Sequence, residues 1–147
     1  MSDAVLFDAR ADGIAIITLN RPETRNALSK EIRAGLFSAW ERFEHDAKLR
    51  VAILTGNGDK AFCAGGDLKE MVELKLKEPP LDMFPVPGDN ISLSKPTIAA
   101  VNGVAFAGGW MIAQACDLCV ASTTAKFAVT EVKVGRSSPW AAPLIHM

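Results

Sequence analysis

Two glycine-bearing stretches and one glutamate supply residue types from which a reactive centre can be built. Ala61-Phe-Cys-Ala-Gly-Gly-Asp-Leu-Lys-Glu70 and Val101-Asn-Gly-Val-Ala-Phe-Ala-Gly-Gly109 each place side-chain-poor backbone just ahead of an expected helix. Such backbone can bring N–H groups close to a negatively charged oxygen, and a helix start adds a favourable dipole. The N–H groups of Gly66 and Gly108, one from each loop, would meet the requirement of an oxyanion hole, two donors on one oxygen. That suggests acyl or thioester chemistry. The same glycines also serve as tight turns, and the pattern alone leaves both readings open. Glu131, in Val129-Thr-Glu-Val-Lys133, follows a short expected strand. Apolar neighbours would desolvate a carboxylate there and shift it towards the range useful for proton transfer. A solvated glutamate at a strand end is the plainer reading.

Other candidates carry less. Asp67 follows Gly66 and precedes a helix, so its first reading is an N-cap. Cys116-Asp-Leu-Cys119 has CxxC spacing but straddles a helix end and an apolar strand, a poor setting for a redox pair. With only His45 and His146, no Cys/His set has metal-ligand spacing, and no metal is expected. Ser137-Ser138 lacks a G-x-S-x-G setting. No Gly-x-Gly-x-x-Gly follows a strand and no Walker-type Gly-Lys-Ser/Thr occurs, which weakens the nucleotide-binding folds.

The elements that must position these residues follow from periodicity. Residues 13–19 are rich in β-branched types and read as a strand. Ser29 caps a helix to about His45, whose Ile32, Leu36, Trp40 and Phe43 share one face and form a core stripe. Residues 50–55 and 96–101 read as buried strands. A helix runs from about Leu68 to Leu76, and another follows Gly108-Gly109 to near Cys116. Residues 118–121 and 126–128 are short strands. Four prolines make residues 78–89 an irregular surface loop. Repeated strand, loop and helix indicate an α/β architecture with right-handed crossovers, but do not choose between an open sheet and a stacked spiral.

The 147 residues suffice for one domain, residues 1–147, with a real core. Hydrophobic residues make up 49% and charged residues 22%, as in a soluble globular protein. A net charge of −1 offers no broad basic surface for nucleic acid or anionic membrane. The N-terminus lacks a secretory pattern, and three cysteines suggest no disulfide framework, so the cytoplasm is the expected compartment. Residues 97–121 are about as long as a membrane span, but Asn102, Gln114, Asp117 and three glycines favour a buried strand–loop–helix–strand.

Several pieces, in order, carry a family resemblance. They are Asn20-Arg-Pro with Arg25-Asn-Ala-Leu28, residues 62–70, Lys95-Pro-Thr-Ile-Ala-Ala-Val-Asn-Gly103, Ala107-Gly-Gly109, Cys116-Asp-Leu118, and Ala125-Lys-Phe127 followed by Glu131. Together they resemble the crotonase (enoyl-CoA hydratase/isomerase) superfamily across nearly the whole chain. The resemblance implies a crotonase-like spiral of repeated ββα turns. It also implies an acyl-CoA or enoyl-CoA substrate, with CoA part of the substrate and no separate cofactor. The thioester oxygen would sit between the N–H groups of Gly66 and Gly108, and an enolate would form. Arg25, Ala27, Leu28, Ala64, Gly66, Asp67 and Leu68 would line the CoA path, with Gly108, Met111 and Thr130 completing the substrate-lining positions. The proline-rich loop would lie near the acyl end. Family members form trimers or pairs of trimers and continue into C-terminal helices, so the spiral is expected to be C-terminally incomplete.

Two departures bear on the reaction. Hydratases of the family carry a first glutamate where this chain has Met111, and a thioether cannot move a proton or hold a water. Past Glu131, Pro139 fits the family, but Trp140, Ala142 and Pro143 stand where a glycine-rich turn is usual. One carboxylate suits double-bond isomerisation, with Glu131 shuttling the proton, better than efficient hydration. The alternatives are a hydratase with a non-standard site and an acyl-CoA-binding protein without turnover.

Overall fold

The computed structural model describes residues 4–75, 80 and 83–135. The described strands form two sheets. The larger has the order β1 (Val5–Ala9), β2 (Ile14–Leu19), β3 (Val51–Gly56), β5 (Thr97–Val101), β7 (Leu118–Ala121). Only β1 pairs antiparallel, as a hairpin with β2. The smaller sheet, β4 (Ala61–Cys63), β6 (Val104–Phe106), β8 (Lys126–Ala128), is parallel throughout.

Chain order alternates between the sheets. β3, β4 and α2 (Leu68–Glu73) form one turn, and β5, β6 and α3 (Gly108–Gln114) the next. β7 and β8 then lead into a short 3-10 turn, Glu131–Val134. This is the spiral of ββα units that the resemblance implies. Successive turns stack closely. Val104 N–H donates to the Lys60 carbonyl at 3.1 Å, and a Cβ on Gly103 would come within 2.6 Å of that oxygen.

The core packs α1 (Lys30–His45) against the larger sheet and extends to Phe62 and Cys63 of β4, Ala105 of β6, and Ile112 and Ala113 of α3. Ser29 Oγ accepts from Ile32 N–H at the helix start. The stripe Ile32, Leu36, Trp40 and Phe43 is fully buried against Ala15, Ile17 and Leu19 of β2 and Ala52 and Leu54 of β3. Period-four apolar spacing on the helix and period-two spacing on the strands meet in one cluster.

The structure departs from the sequence expectations in four places. Strands β1, β4 and β6 carry no clear sequence signal. β4 and β6 have three residues each, too few to display a period. α2 stops at Glu73 rather than near Leu76, because Lys75 takes a left-handed conformation with φ +52°; Leu76 lies outside the described residues. β7 was expected to be buried but forms the outer edge of its sheet, with Leu118 62% and Val120 64% exposed. Phe84, in the proline-rich loop read as surface, packs against the core. Among the described residues no helix is long and apolar enough to cross a membrane.

Asp117 ties β7 to β5. Its Oδ2 accepts from both the N–H and the hydroxyl of Thr97 at 2.8 Å, and its own N–H donates to the Thr97 hydroxyl at 3.1 Å. The Thr97 N–H, and then its hydroxyl, hold the Asp117 carboxyl below its ordinary value. A carboxyl lowered in the folded state stabilises the fold above its unfolded pKa, and that contribution disappears as pH falls through the folded pKa. Asp117→Asn is therefore expected to lower the melting temperature at neutral pH. The gap from wild type should close as the pH falls below about 4, which thermal melts across a pH series would show.

Candidate active site

The three candidate catalytic residues follow the carboxyl ends of the three parallel strands of the smaller sheet. Gly66 follows β4, Gly108 follows β6 and Glu131 follows β8. The register runs Cys63 to Ala105 and Phe106 to Ala128, and Ala107 N–H donates to the Ala128 carbonyl at 2.9 Å. All three loops thus leave the same end of one sheet, where parallel sheets characteristically bind ligands.

The two glycine loops touch. A Cβ on Gly65 would lie 2.9 Å from Ala107 Cβ and 3.3 Å from the Gly108 nitrogen, and one on Gly108 would lie 3.8 Å from the Gly66 nitrogen. Gly65 has φ +96°, so a side chain there is excluded by both conformation and space. A Cβ on Gly109 would collide with the Cys63 carbonyl, so glycine lets α3 approach β4. Among the described residues, no backbone carbonyl accepts from the Gly66 or the Gly108 N–H. Ala107, with φ +50° and ψ −124°, holds a conformation rare for alanine and sets the peptide plane that carries the Gly108 N–H.

A second strip of chain lies alongside the first loop. Ala64 N–H donates to the Arg25 carbonyl at 3.0 Å, and Leu28 N–H to the Gly65 carbonyl at 2.8 Å. Residues 25–28 and 64–66, assigned to one CoA path by the resemblance, are therefore neighbours. Asn26 fixes the strip. It is fully buried, donates from Nδ2 to the Ala61 carbonyl at 2.9 Å and the Asn57 carbonyl at 3.0 Å, and accepts from Arg21 N–H at 2.9 Å. Ala27 and Leu28 are buried, whereas Arg25 and Leu68 are exposed. Asp67 is the N-cap of α2: its Oδ1 accepts from Lys69 N–H at 3.0 Å and Glu70 N–H at 3.2 Å. Beside it runs an open groove of about 400 Å³ lined by Ser29, Lys30, Asp67, Lys69 and Glu73 among others.

Apolar groups close over Gly66. A Cβ there would overlap Met71 Cε and lie 3.5 Å from Phe84 Cζ. Neither Met71 nor Phe84 was singled out from the sequence. Met111 is half-buried one turn into α3, its N–H donating to the Ala107 carbonyl at 3.0 Å. Thr130 holds the N-cap position of the 3-10 turn that Glu131 begins, without a side-chain capping bond. Glu131 Oε2 is buried without a hydrogen-bond partner among the described residues. A buried carboxylate oxygen left in that state is costly unless something supplies a donor. Ser137, Ser138, Pro139, Trp140, Ala142 and Pro143 lie outside the described residues.

Two of the three cysteines, Cys63 and Cys116, are buried as thiols. Burial pushes the thiols of Cys63 and Cys116 up to about 12, so both stay protonated, and Cys63 Sγ accepts from Gly65 N–H at 3.5 Å beneath the loop. Cys116 is buried and Cys119 exposed, on either side of the α3–β7 turn.

The family described as Enoyl-CoA hydratase/isomerase matches residues 9–145. The chain belongs to that family. An (E)-benzylidenesuccinyl-CoA hydratase from Thauera aromatica is 47% identical over 124 residues, covering 82% of this chain and 48% of that protein. A short-chain-enoyl-CoA hydratase from Clostridium acetobutylicum is 39% identical, covering 83% of this chain and 48% of its own length. Among solved structures, a carnitinyl-CoA dehydratase from Mycobacterium avium 104 superposes with a TM-score of 0.80 at 41% identity, covering 91% of this chain and 53% of that one. This family member spans about half the length of the curated relatives it matches.

Proposed function

We propose that this protein acts on an enoyl-CoA thioester through an enolate held by the Gly66 and Gly108 N–H groups, with Glu131 as the single proton carrier. The observation that carries this reading is the placement of all three residues beyond the carboxyl ends of β4, β6 and β8, with the two glycine loops in contact. The thioester oxygen accepts from both N–H groups. Each such donor contributes about 2.7–4 kcal/mol to the transition state. Met71 and Phe84 keep water from the Gly66 side, which strengthens those bonds.

With a 3-enoyl-CoA, Glu131 removes a proton from C2, and the electron pair spreads over the dienolate and its oxygen. The same carboxyl returns the proton to C4, so the double bond moves from C3–C4 to C2–C3 with no net change in atoms. Hydration of a 2-enoyl-CoA asks for a second group to hold water, and Met111 stands where, by the resemblance, hydratases of the family carry a glutamate. The hydratase names of the relatives keep hydration as the alternative reading. The family resemblance further leads us to propose a cytoplasmic enzyme of fatty-acid metabolism that assembles as a trimer or a pair of trimers.

Parallel assays of the 147-residue chain with a 3-enoyl-CoA and a 2-enoyl-CoA test the proposal. We expect faster double-bond migration than hydration. Faster hydration would favour the hydratase, and binding without turnover of either would favour an acyl-CoA-binding protein.

A further inference from the structure

The geometry points to Arg33 as a positioning residue that fixes the spacing between the two walls of the site. Its guanidinium reaches two places at once from the first turn of α1. Nη1 donates to the Leu28 carbonyl at 2.7 Å and to Glu70 Oε2 at 2.9 Å, while Nη2 donates to Glu70 Oε1 at 2.9 Å. Leu28 in turn holds the Gly65 carbonyl through its own N–H. Glu70 sits on α2 beside Met71, whose Cε covers Gly66. One side chain therefore pins the 25–28 strip on one side of the Gly65-Gly66 loop and α2 on the other.

The clamp is suited to holding a geometry. The Arg33 and Glu70 side chains are only 11% and 18% exposed, and the contact is a two-pronged guanidinium–carboxylate pair with a third bond to backbone. Such a fork defines direction as well as distance, which a lysine ammonium does not. Arg33 need not touch substrate. It acts through the placement of Gly66, and the inference rests on the reading of Gly66 as an oxyanion donor. Misplacement of a catalytic group by about 1 Å can cost about a hundredfold in rate.

The test compares wild type, Arg33→Met and Arg33→Lys by thermal melting, by kcat and KM on a 3-enoyl-CoA, and by the ¹³C shift of bound butyryl-CoA labelled at the thioester carbonyl. Arg33→Met is expected to lose about tenfold or more in kcat with a much smaller change in KM, and to lose part of the downfield shift of the carbonyl. Arg33→Lys is expected to fall between Arg33→Met and wild type, and it carries the test if Arg33→Met does not fold. Folded variants with wild-type kcat and carbonyl shift would overturn the inference and leave Arg33 a structural pin. If wild type itself neither shifts the carbonyl nor turns over, the oxyanion reading fails, and this inference falls with it.

Discussion

Glu131→Gln is expected to reduce double-bond migration by about a hundred- to ten-thousand-fold while leaving acyl-CoA affinity nearly unchanged. Glutamine keeps the shape of the side chain and can present its carbonyl oxygen where the buried Oε2 now lies. What it cannot do is take a proton and give it back. The glycine loops are untouched by the change, so ground-state binding should persist and the loss should appear in kcat. Steady-state kinetics with a 3-enoyl-CoA, alongside calorimetric titration with a saturated acyl-CoA, separate the two quantities. Unchanged turnover would show that another group carries the proton, and the mechanism would have to be rebuilt without Glu131. Equal loss of affinity and turnover would instead mark the residue as part of the binding surface.

How much of this was legible in the sequence depended on the distance over which each feature acts. The α1 stripe is local, and its spacing alone placed Ile32, Leu36, Trp40 and Phe43 in the core. The Ser29 and Asp67 caps are also local, and both hold. The glycine loops were legible as turns before helices, but their contact is not a local property. It depends on β4 and β6, three-residue strands that pair only because the spiral stacks one turn on the next. The family resemblance supplied that stacking, which periodicity left open. The Arg33–Glu70 clamp joins residues 37 positions apart, and no spacing rule marks it. Asn26 stands within Arg25-Asn-Ala-Leu28, yet its burial and its three side-chain hydrogen bonds emerge only from the fold. Leu118 and Val120 mislead for the opposite reason: an apolar strand reads as interior, but nothing described pairs with the outer edge of β7.

Met111→Glu should produce the largest gain, raising hydration of a 2-enoyl-CoA by about a hundredfold or more over the parent chain. The position lies one turn beyond Gly108 on α3, half-buried and bonded through its N–H to the Ala107 carbonyl. A carboxylate there would face the same substrate as Glu131 and could accept a hydrogen bond from the attacking water, the task a thioether cannot perform. The substitution replaces a side chain that packs on the core, so some loss of thermal stability is expected alongside the gain. If Met111→Glu folds, binds acyl-CoA and still adds no water, then the residue at 111 does not account for the proposed preference for isomerisation. The preference for isomerisation would then have to come from the shape of the acyl end, where Phe84 of the proline-rich loop closes on Gly66.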